Sequence, residues 1–384
     1  MAVDYDYIIA GAGAAGLSLV YHLVQAGLPG RILLLERAPK THNDRTWCFW
    51  EVGEGPFEAV VGHRWTQLWV RDRGFARRLD LQPYAYKMIR GLDFYRYMQR
   101  WLAQQPNLEL RYGTIQAIEE EGQGAAVVQA GQRYRGRWVF HSLYRPPPPR
   151  LGYRYLLQHF LGWVVRAPEP VFDPQAATLM DFRTPQEGQV RFVYLLPFDA
   201  QRALVEYTVF SPERLPPMAY QEGLRAYLAG VLGLKAYTIL EVESGVIPMT
   251  DAPFPRRPSP HVMPIGMAGG QTKASTGYTF QRIQRQSRQI VQSLRTTGQP
   301  FYPEPLLRRH ALLDSVLLEV LYRWGGRGHR VFCDLFGRNP PQRILRFLDE
   351  KTSLWEDLQV MARVDIPLFL AATLATFWRR VWPG

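Results

Sequence analysis

The stretch Ala203-Leu204-Val205-Glu206-Tyr207-Thr208 is an apolar strand that carries one carboxylate. Side chains alternate along a strand, so Glu206 shares a face with Leu204 and Thr208. A carboxyl in an apolar cavity keeps its proton to higher pH, because desolvation disfavours the charged form. Such a group can serve as a general acid near neutrality. Taken alone, the same residue also fits an exposed strand carboxylate.

A second kind of chemistry is written at the N-terminus. Gly11, Gly13 and Gly16 form a GxGxxG run, and Glu36 follows 20 residues after Gly16. Gly11 suits a tight turn, and Gly13 lets backbone approach a pyrophosphate. Gly16 lets helix pack on strand, and Glu36 can accept from ribose hydroxyls. The dinucleotide could be NAD or FAD. The N-terminal position and a distant second glycine motif favour FAD. A glycine-rich turn in an unrelated α/β protein is the alternative.

That second motif runs from Ile265-Gly266-Met267-Ala268-Gly269-Gly270 to Ser275-Thr276-Gly277-Tyr278. An apolar run precedes it and a helical pattern follows. A helix start there would point its dipole at a flavin and stabilise an anionic reduced form. Met267 occupies the usual place of an acidic ribityl ligand. Between the motifs, Asp44-Arg45-Thr46-Trp47-Cys48-Phe49-Trp50 brings three aromatics that could wall a flavin, line an apolar channel, or fill a core.

These residues need a scaffold. Tyr5–Ala10 reads as a buried strand, Leu17–Gln25 as a helix closed by Gly27, and Arg31–Glu36 as a second strand, together one βαβ unit. A helix is expected near 92–104. Short alternating runs dominate about 115–245 and predict a sheet with one polar face. Pro146–Pro149 reads as a stiff connector. Helical periodicity returns at 219–232 and 280–297. From about 304 the chain reads as all helix, broken at Gly325-Gly326, Gly337 and Pro340-Pro341.

Composition narrows the classes. The 384 residues are 47% hydrophobic and 21% charged, which excludes disorder and a collagen-like chain. Two distant cysteines, Cys48 and Cys333, give no disulfide framework and no metal cluster, and fit a reducing cytoplasm. The N-terminus lacks the basic region of a signal peptide. The net charge of +12 suits solubility, an anionic cofactor or an anionic membrane surface. No nucleic-acid-binding signature accompanies it. The longest uncharged C-terminal stretch, Ile366 to Trp378, has 13 residues. A span needs roughly 18, so it reads as a buried helix or a surface anchor.

The order of these motifs resembles the lycopene cyclases of the bacterial β-cyclase type, related to the plant β- and ε-cyclases. The resemblance rests on Gly11–Gly16, Asp44-Arg45-Thr46-Trp47, Gln158-His159-Phe160-Leu161-Gly162-Trp163 and Met180-Asp181-Phe182-Arg183. It continues through Leu196-Pro197-Phe198, Leu204–Thr208, Gly245-Val246-Ile247-Pro248-Met249, Ala268–Tyr278 and Arg346-Phe347-Leu348-Asp349.

The resemblance implies an α/β fold of the two-dinucleotide-motif, glutathione-reductase/hydroxylase-like type. A discontinuous Rossmann-type FAD domain (1–115 plus 245–300) would enclose a β-sheet substrate domain (116–244), followed by a helical, membrane-facing region (301–384). It implies closure of β-ionone rings at the ψ-ends of lycopene, by way of γ-carotene to β-carotene, with reduced FAD and no net redox change. NAD(P)H would be the reductant. Glu206 matches the family's proton donor, while Tyr207 stands where plant members carry a second glutamate. The FAD ligands would be Gly11, Gly13, Gly16, Glu36, Arg45, Gly266, Gly269, Thr276 and Gly277. Trp47, Trp163, Tyr207 and Tyr278 would line the substrate channel, and Asp181 with Arg183 would form a structural pair or join it. No metal, nucleic acid or obligate protein partner is implied, and the localisation would be cytoplasmic, peripheral to a membrane. Two other readings remain. One is a flavin oxidoreductase, such as a monooxygenase or geranylgeranyl-type reductase. The other is a carotenoid-binding protein that retains the fold without turnover.

Overall fold

The computed structural model describes residues 3–148, 150–303 and 308–382. Its first sheet is built on β1 (Tyr5–Ala10), which pairs in parallel with β2 (Ile32–Glu36). Between them runs α1 (Ala14–Gln25), closed by Gly27 at φ +64°. Ile8, Ile9, Leu33 and Leu34 are fully buried, as expected of parallel strands covered on both faces.

Two further sheets lie beyond this unit. The smallest joins β3 (Thr46–Val52) and β4 (His63–Trp65) to the two edges of β7 (Tyr84–Arg90). The largest begins with β5 (Gln67–Asp72) and β6 (Phe75–Asp80). Its other strands are β12 (Tyr155–Arg166), β13 (Ala176–Asp181), β14 (Val190–Pro197), β15 (Arg202–Ser211) and β16 (Thr238–Thr250). The strand order is β16-β12-β15-β14-β13-β5-β6.

The first sheet is completed by β8 (Leu108–Tyr112), β9 (Ile115–Glu121), β10 (Gly124–Gln129), β11 (Gln132–His141) and β17 (Val262–Pro264). Its order is β8-β2-β1-β11-β10-β9, with β17 on β11. This corrects the range 116–244 expected for the substrate sheet. β9 to β11 form a meander on the first sheet, while β5 and β6, from inside 1–115, join the second. A hairpin satisfies its own hydrogen bonds whichever sheet it extends, so local pattern does not assign it.

The expected polar face is also absent from the middle of the second sheet, where every residue of β15 after Arg202 is buried. Odd positions such as Val205, Tyr207 and Val209 pack under α3 (Pro217–Gly230). Even positions such as Leu204 and Phe210 meet β3, β7 and the C-terminal helices.

Those helices are α5 (Arg308–Arg323), α6 (Gly328–Arg338), α7 (Pro341–Leu348), α8 (Leu354–Met361) and α9 (Ile366–Val381). The breaks at Gly325-Gly326 and Pro340-Pro341 occur as expected, but α6 runs through Gly337. A Cβ there would lie 3.0 Å from the Phe75 ring, so this glycine serves close packing rather than a break. Pro146–Pro148 have no regular structure, and Pro149 lies outside the described residues. The two remaining helices are α2 (Gly91–Leu102) and α4 (Phe280–Thr297), both amphipathic and packed in the core around α1.

Candidate active site

The two glycine loops meet. Gly16 must be glycine, because a Cβ would lie 1.9 Å from the Gly11 carbonyl oxygen. Gly266, at φ +59°, brings the second loop against α1, where a Cβ would come within 2.5 Å of the Ala15 Cβ. Gln286 accepts from the Gly266 N–H at 2.8 Å and anchors this loop on α4. Gly269 turns tightly against Pro264, and Gly277 (φ +72°) brings the loop onto Gln158 of β12. The second loop therefore touches both α1 and the Glu206 face of the second sheet.

The residues present fit a dinucleotide. α1 starts at Gly13 with no side-chain cap, and a Cβ at Gly13 would meet nothing within 4 Å. Helix-start N–H groups are thus left facing open space, an anion site. Glu36 sits beside them, accepting from the Ala12 N–H at 2.7 Å. It also lines a cleft with Ala12, Leu34, Tyr95, Leu110 and Tyr112, suited to an adenosine. α4 likewise begins at Thr279 without a side-chain cap. Near that end, the buried Thr276 Oγ1, Gln158 Oε1 and Trp50 Nε1 lack partners among the described residues. Buried polar atoms are seldom left unpaired, so a polar group placed there would complete them. Arg45 is half exposed, 3.6 Å from Asp44.

Glu206 lies across from Tyr194 of β14 on one side and Gly162 of β12 on the other. Glu243 of β16 lies opposite Gly162 on its far side. The bare glycine lets the two carboxyls approach closely enough to couple to each other electrostatically. Thr208 donates to Glu206 Oε1 at 2.8 Å, and Thr46 donates to Glu243 Oε2 at 2.7 Å. Burial, then the charge of Glu243, hold Glu206 well above the usual carboxylate range, against the smaller opposing effect of Thr208. Burial raises Glu243 as well. Above this row stand Cys48 and Trp50 of β3, Tyr86 of β7 and Tyr278. Cys48 lies beside Tyr86, and Tyr278 beside Tyr194. The Trp50 and Tyr278 rings meet edge-on at 4.9 Å. Burial pushes all four of these phenol and thiol groups upward, so they stay neutral.

Of the four expected channel residues, only Tyr278 reaches this row. Trp163 and Tyr207 fall on the opposite face of the sheet and pack against α3. The period of two requires this, since each is one residue away from Gly162 or Glu206. Trp47 likewise turns to the other side of β3, where its ring stacks on Phe280 at 5.7 Å. Asp181 and Arg183 form the structural pair, bonded at 2.9 and 2.6 Å, with Tyr227 donating to Asp181 at 2.7 Å. Glu243, Tyr194 and Tyr86 escaped the sequence reading. The signal for Glu243 was its position two residues before the Gly245–Met249 motif.

Both glycine loops, the acidic end of β2 and the appended second sheet define the architecture of FAD-dependent hydroxylases and reductases. A geranylgeranyl bacteriochlorophyll reductase-like protein from Thermoplasma acidophilum superposes with a TM-score of 0.62 at 12% identity, covering 96% of this chain and 98% of that one. Klebsiella pneumoniae HpxO, solved in complex with FAD, gives 0.56 at 15% identity over 97% and 98%.

Within that architecture, the chain belongs to the lycopene cyclase protein family, whose model matches residues 6–374. The chloroplastic neoxanthin synthase of Solanum tuberosum is 27% identical, covering 92% of this chain and 76% of its own length. The lycopene beta-cyclase of Pantoea ananas is 27% identical over 73% of this chain and 72% of its own.

Proposed function

We propose that the protein is a lycopene β-cyclase with Glu206 as its general acid. The carrying observation is a carboxyl buried in an aromatic pocket beside the loop that leads into α4, where burial holds it above the usual carboxylate range. Glu206 delivers its proton to C2 of a ψ-end, leaving a tertiary cation at C1. The chain folds, C1 bonds to C6, and loss of the C6 proton restores the double bond of a β-ring. The proton balance is zero, and so is the redox balance. Tyr194, Tyr86, Tyr278 and Trp50 present ring faces and edges without competing charges. They exclude the water that would quench a cation.

Gly11, Gly13 and Gly16 with Glu36 are the residues that would hold the pyrophosphate and ribose of FAD. Gly266, Gly269, Thr276 and Gly277 would receive its ring, and the half-exposed Arg45 would meet its phosphates. Reduced FAD, when bound, supplies negative charge close to the developing cation. NAD(P)H would keep it reduced. The test is the product: a cyclic isomer of unchanged mass, formed without stoichiometric NAD(P)H oxidation. A product of altered mass would instead point to an oxidoreductase.

Gly162→Ala isolates the geometry of the carboxyls. The new Cβ would lie 3.0 Å from Leu204 Cδ1, 3.1 Å from Glu243 Cγ and 3.4 Å from Glu206 Cβ. We expect turnover to drop about 10- to 100-fold, as small misplacements of catalytic groups do. Flavin content should stay at the wild-type level. Equal turnover in a pigment-conversion assay would show that the spacing is immaterial.

The substrate lives in membranes, and α9 offers a way to reach it. Leu368, Phe369 and Ala372 are buried, while Leu370, Leu374, Phe377 and Trp378 are each more than half exposed. No single helix among the described residues is long and apolar enough to cross a membrane, although α8 and α9 would be together, bent by 117°. Docking on the bilayer through this apolar face fits better than charge attraction through Arg379. That side chain is 8% exposed and is held by Asp251 at 2.6 Å and Glu319 at 3.0 Å. Replacing Leu370, Leu374, Phe377 and Trp378 by serine should cut the liposome-bound fraction about tenfold or more in a flotation assay. A wild-type chain that never floats, with neutral or anionic lipid, would refute membrane docking.

A further inference from the structure

Building on the cyclase reading, we propose that Glu206 and Glu243 work as one proton-sharing carboxyl pair across Gly162, with Glu243 a positioning residue that holds the acid proton on the pair. Three observations carry this. The strand registers set both residues opposite the same glycine, whose missing side chain is the space in which they meet. Glu243 is fixed from outside the sheet: Thr46 donates to its Oε2 at 2.7 Å, and the Asn43 amide reaches the same oxygen at 3.4 Å. Its other oxygen, Oε1, is buried and has no partner among the described residues unless Glu206 carries a proton to donate.

Two adjacent buried carboxyls cannot both ionise cheaply, so one proton stays shared between them. The other titratable and charged neighbours do not relieve this. Tyr194 of β14, Cys48 of β3, Tyr86 of β7 and Tyr278 are held neutral by burial. Arg90 lowers Glu243 from a distance, but its guanidinium is bonded to Glu241 at 2.6 Å.

The cycle closes on the pair. When the Glu206 proton moves to C2, the C1=C2 π electrons form the new C–H bond and both carboxylates stand ionised beside a cation. The C5=C6 electrons then form the C1–C6 bond, which moves the cation to C5. The C6–H bond breaks, its electrons rebuild C5=C6, and the proton returns to Glu206. Glu243 supplies the second negative charge that opposes the cation. It also makes the ionised pair basic enough to recover the proton.

Glu243→Gln tests this, since it keeps an acceptor for Thr46 and removes the charge. Turnover needs protonated Glu206, so it falls on the alkaline side. Without Glu243 that limb should move to lower pH by about one unit or more. Glu243→Asp should restore it. A readout independent of turnover is the infrared C=O band of the protonated carboxyl in the substrate-free holoprotein. The band should be missing in Glu206→Gln and should titrate at lower pH in Glu243→Gln. If Glu243→Gln folds poorly, Thr46→Val, which frees Glu243 from its anchor, should displace the same limb. An unmoved limb together with an unmoved band would reduce Glu243 to a packing residue and overturn the proposal. A wild-type chain that cyclises nothing would sink the cyclase reading instead, and the infrared titration would still decide the pair.

Discussion

Glu206→Gln should abolish cyclisation, with a loss of at least about 10²- to 10⁴-fold, the range that positioned proton transfer contributes. The substitution is nearly isosteric with the protonated acid. Its amide oxygen can still accept from Thr208, which now donates at 2.8 Å. No buried charge is created, so folding and flavin content should match the wild type. The pH profile carries the same signature. Burial and Glu243 raise Glu206, so its acid form persists to higher pH than that of a free glutamate, and turnover should decline only as pH climbs through the raised value. An unshifted glutamate would already be ionised above about 4.3. Pigment conversion by a folded, flavin-loaded Glu206→Gln protein would require another acid.

The second large effect is expected at the first glycine loop, where two alanine substitutions should part ways. At Gly16 a Cβ would sit 1.9 Å from the Gly11 carbonyl oxygen, a contact that only displacement of α1 from β1 relieves. Overpacking of this kind costs about 1–3 kcal/mol or more, so Gly16→Ala should lose both thermal stability and bound flavin. At Gly13 a Cβ meets no protein atom within 4 Å, and that open space is where the proposed pyrophosphate would lie. Gly13→Ala should therefore keep its melting temperature and still lose flavin, about tenfold or more in affinity for the loss of one close phosphate contact. Flavin absorbance per protein and a thermal melt separate the two. A Gly13→Ala protein with full flavin would move the pyrophosphate away from this loop.

What could be read beforehand was what is local. The βαβ unit with Gly11, Gly13, Gly16 and Glu36 depends on neighbours within one short segment, and it stands as expected. So does α4, over residues 280–297. Glu206 was legible through the motif that carries the family resemblance, since taken alone its strand fits an exposed carboxylate. Glu243 was not, because Leu240-Glu241-Val242-Glu243-Ser244 has the alternation of a solvent-washed strand. Its partner is 37 residues away in sequence and is met only through the register of a third strand, β12. Register is a property of the assembled sheet, and one residue of slip exchanges its faces. The same rule, applied more strictly, would have turned Tyr207 and Trp163 away from the acid. The meander β9 to β11 was misplaced for a related reason, since hairpins carry no label for the sheet they extend.

The second glycine loop shows how the halves are coupled. Gly266 touches Ala15 of α1 and Gly277 touches Gln158 of β12, so a cofactor bound to the first sheet would be brought to the proposed acid on the second. That adjacency is what would let this fold support a reaction started by the proposed proton donor.

The most direct test of this account is pigment analysis of lycopene-accumulating cells that express the chain. It predicts conversion of lycopene to a β-ring isomer of identical mass, with none formed by Glu206→Gln. Unchanged lycopene beside folded, flavin-loaded protein, or a product of different mass, would contradict it.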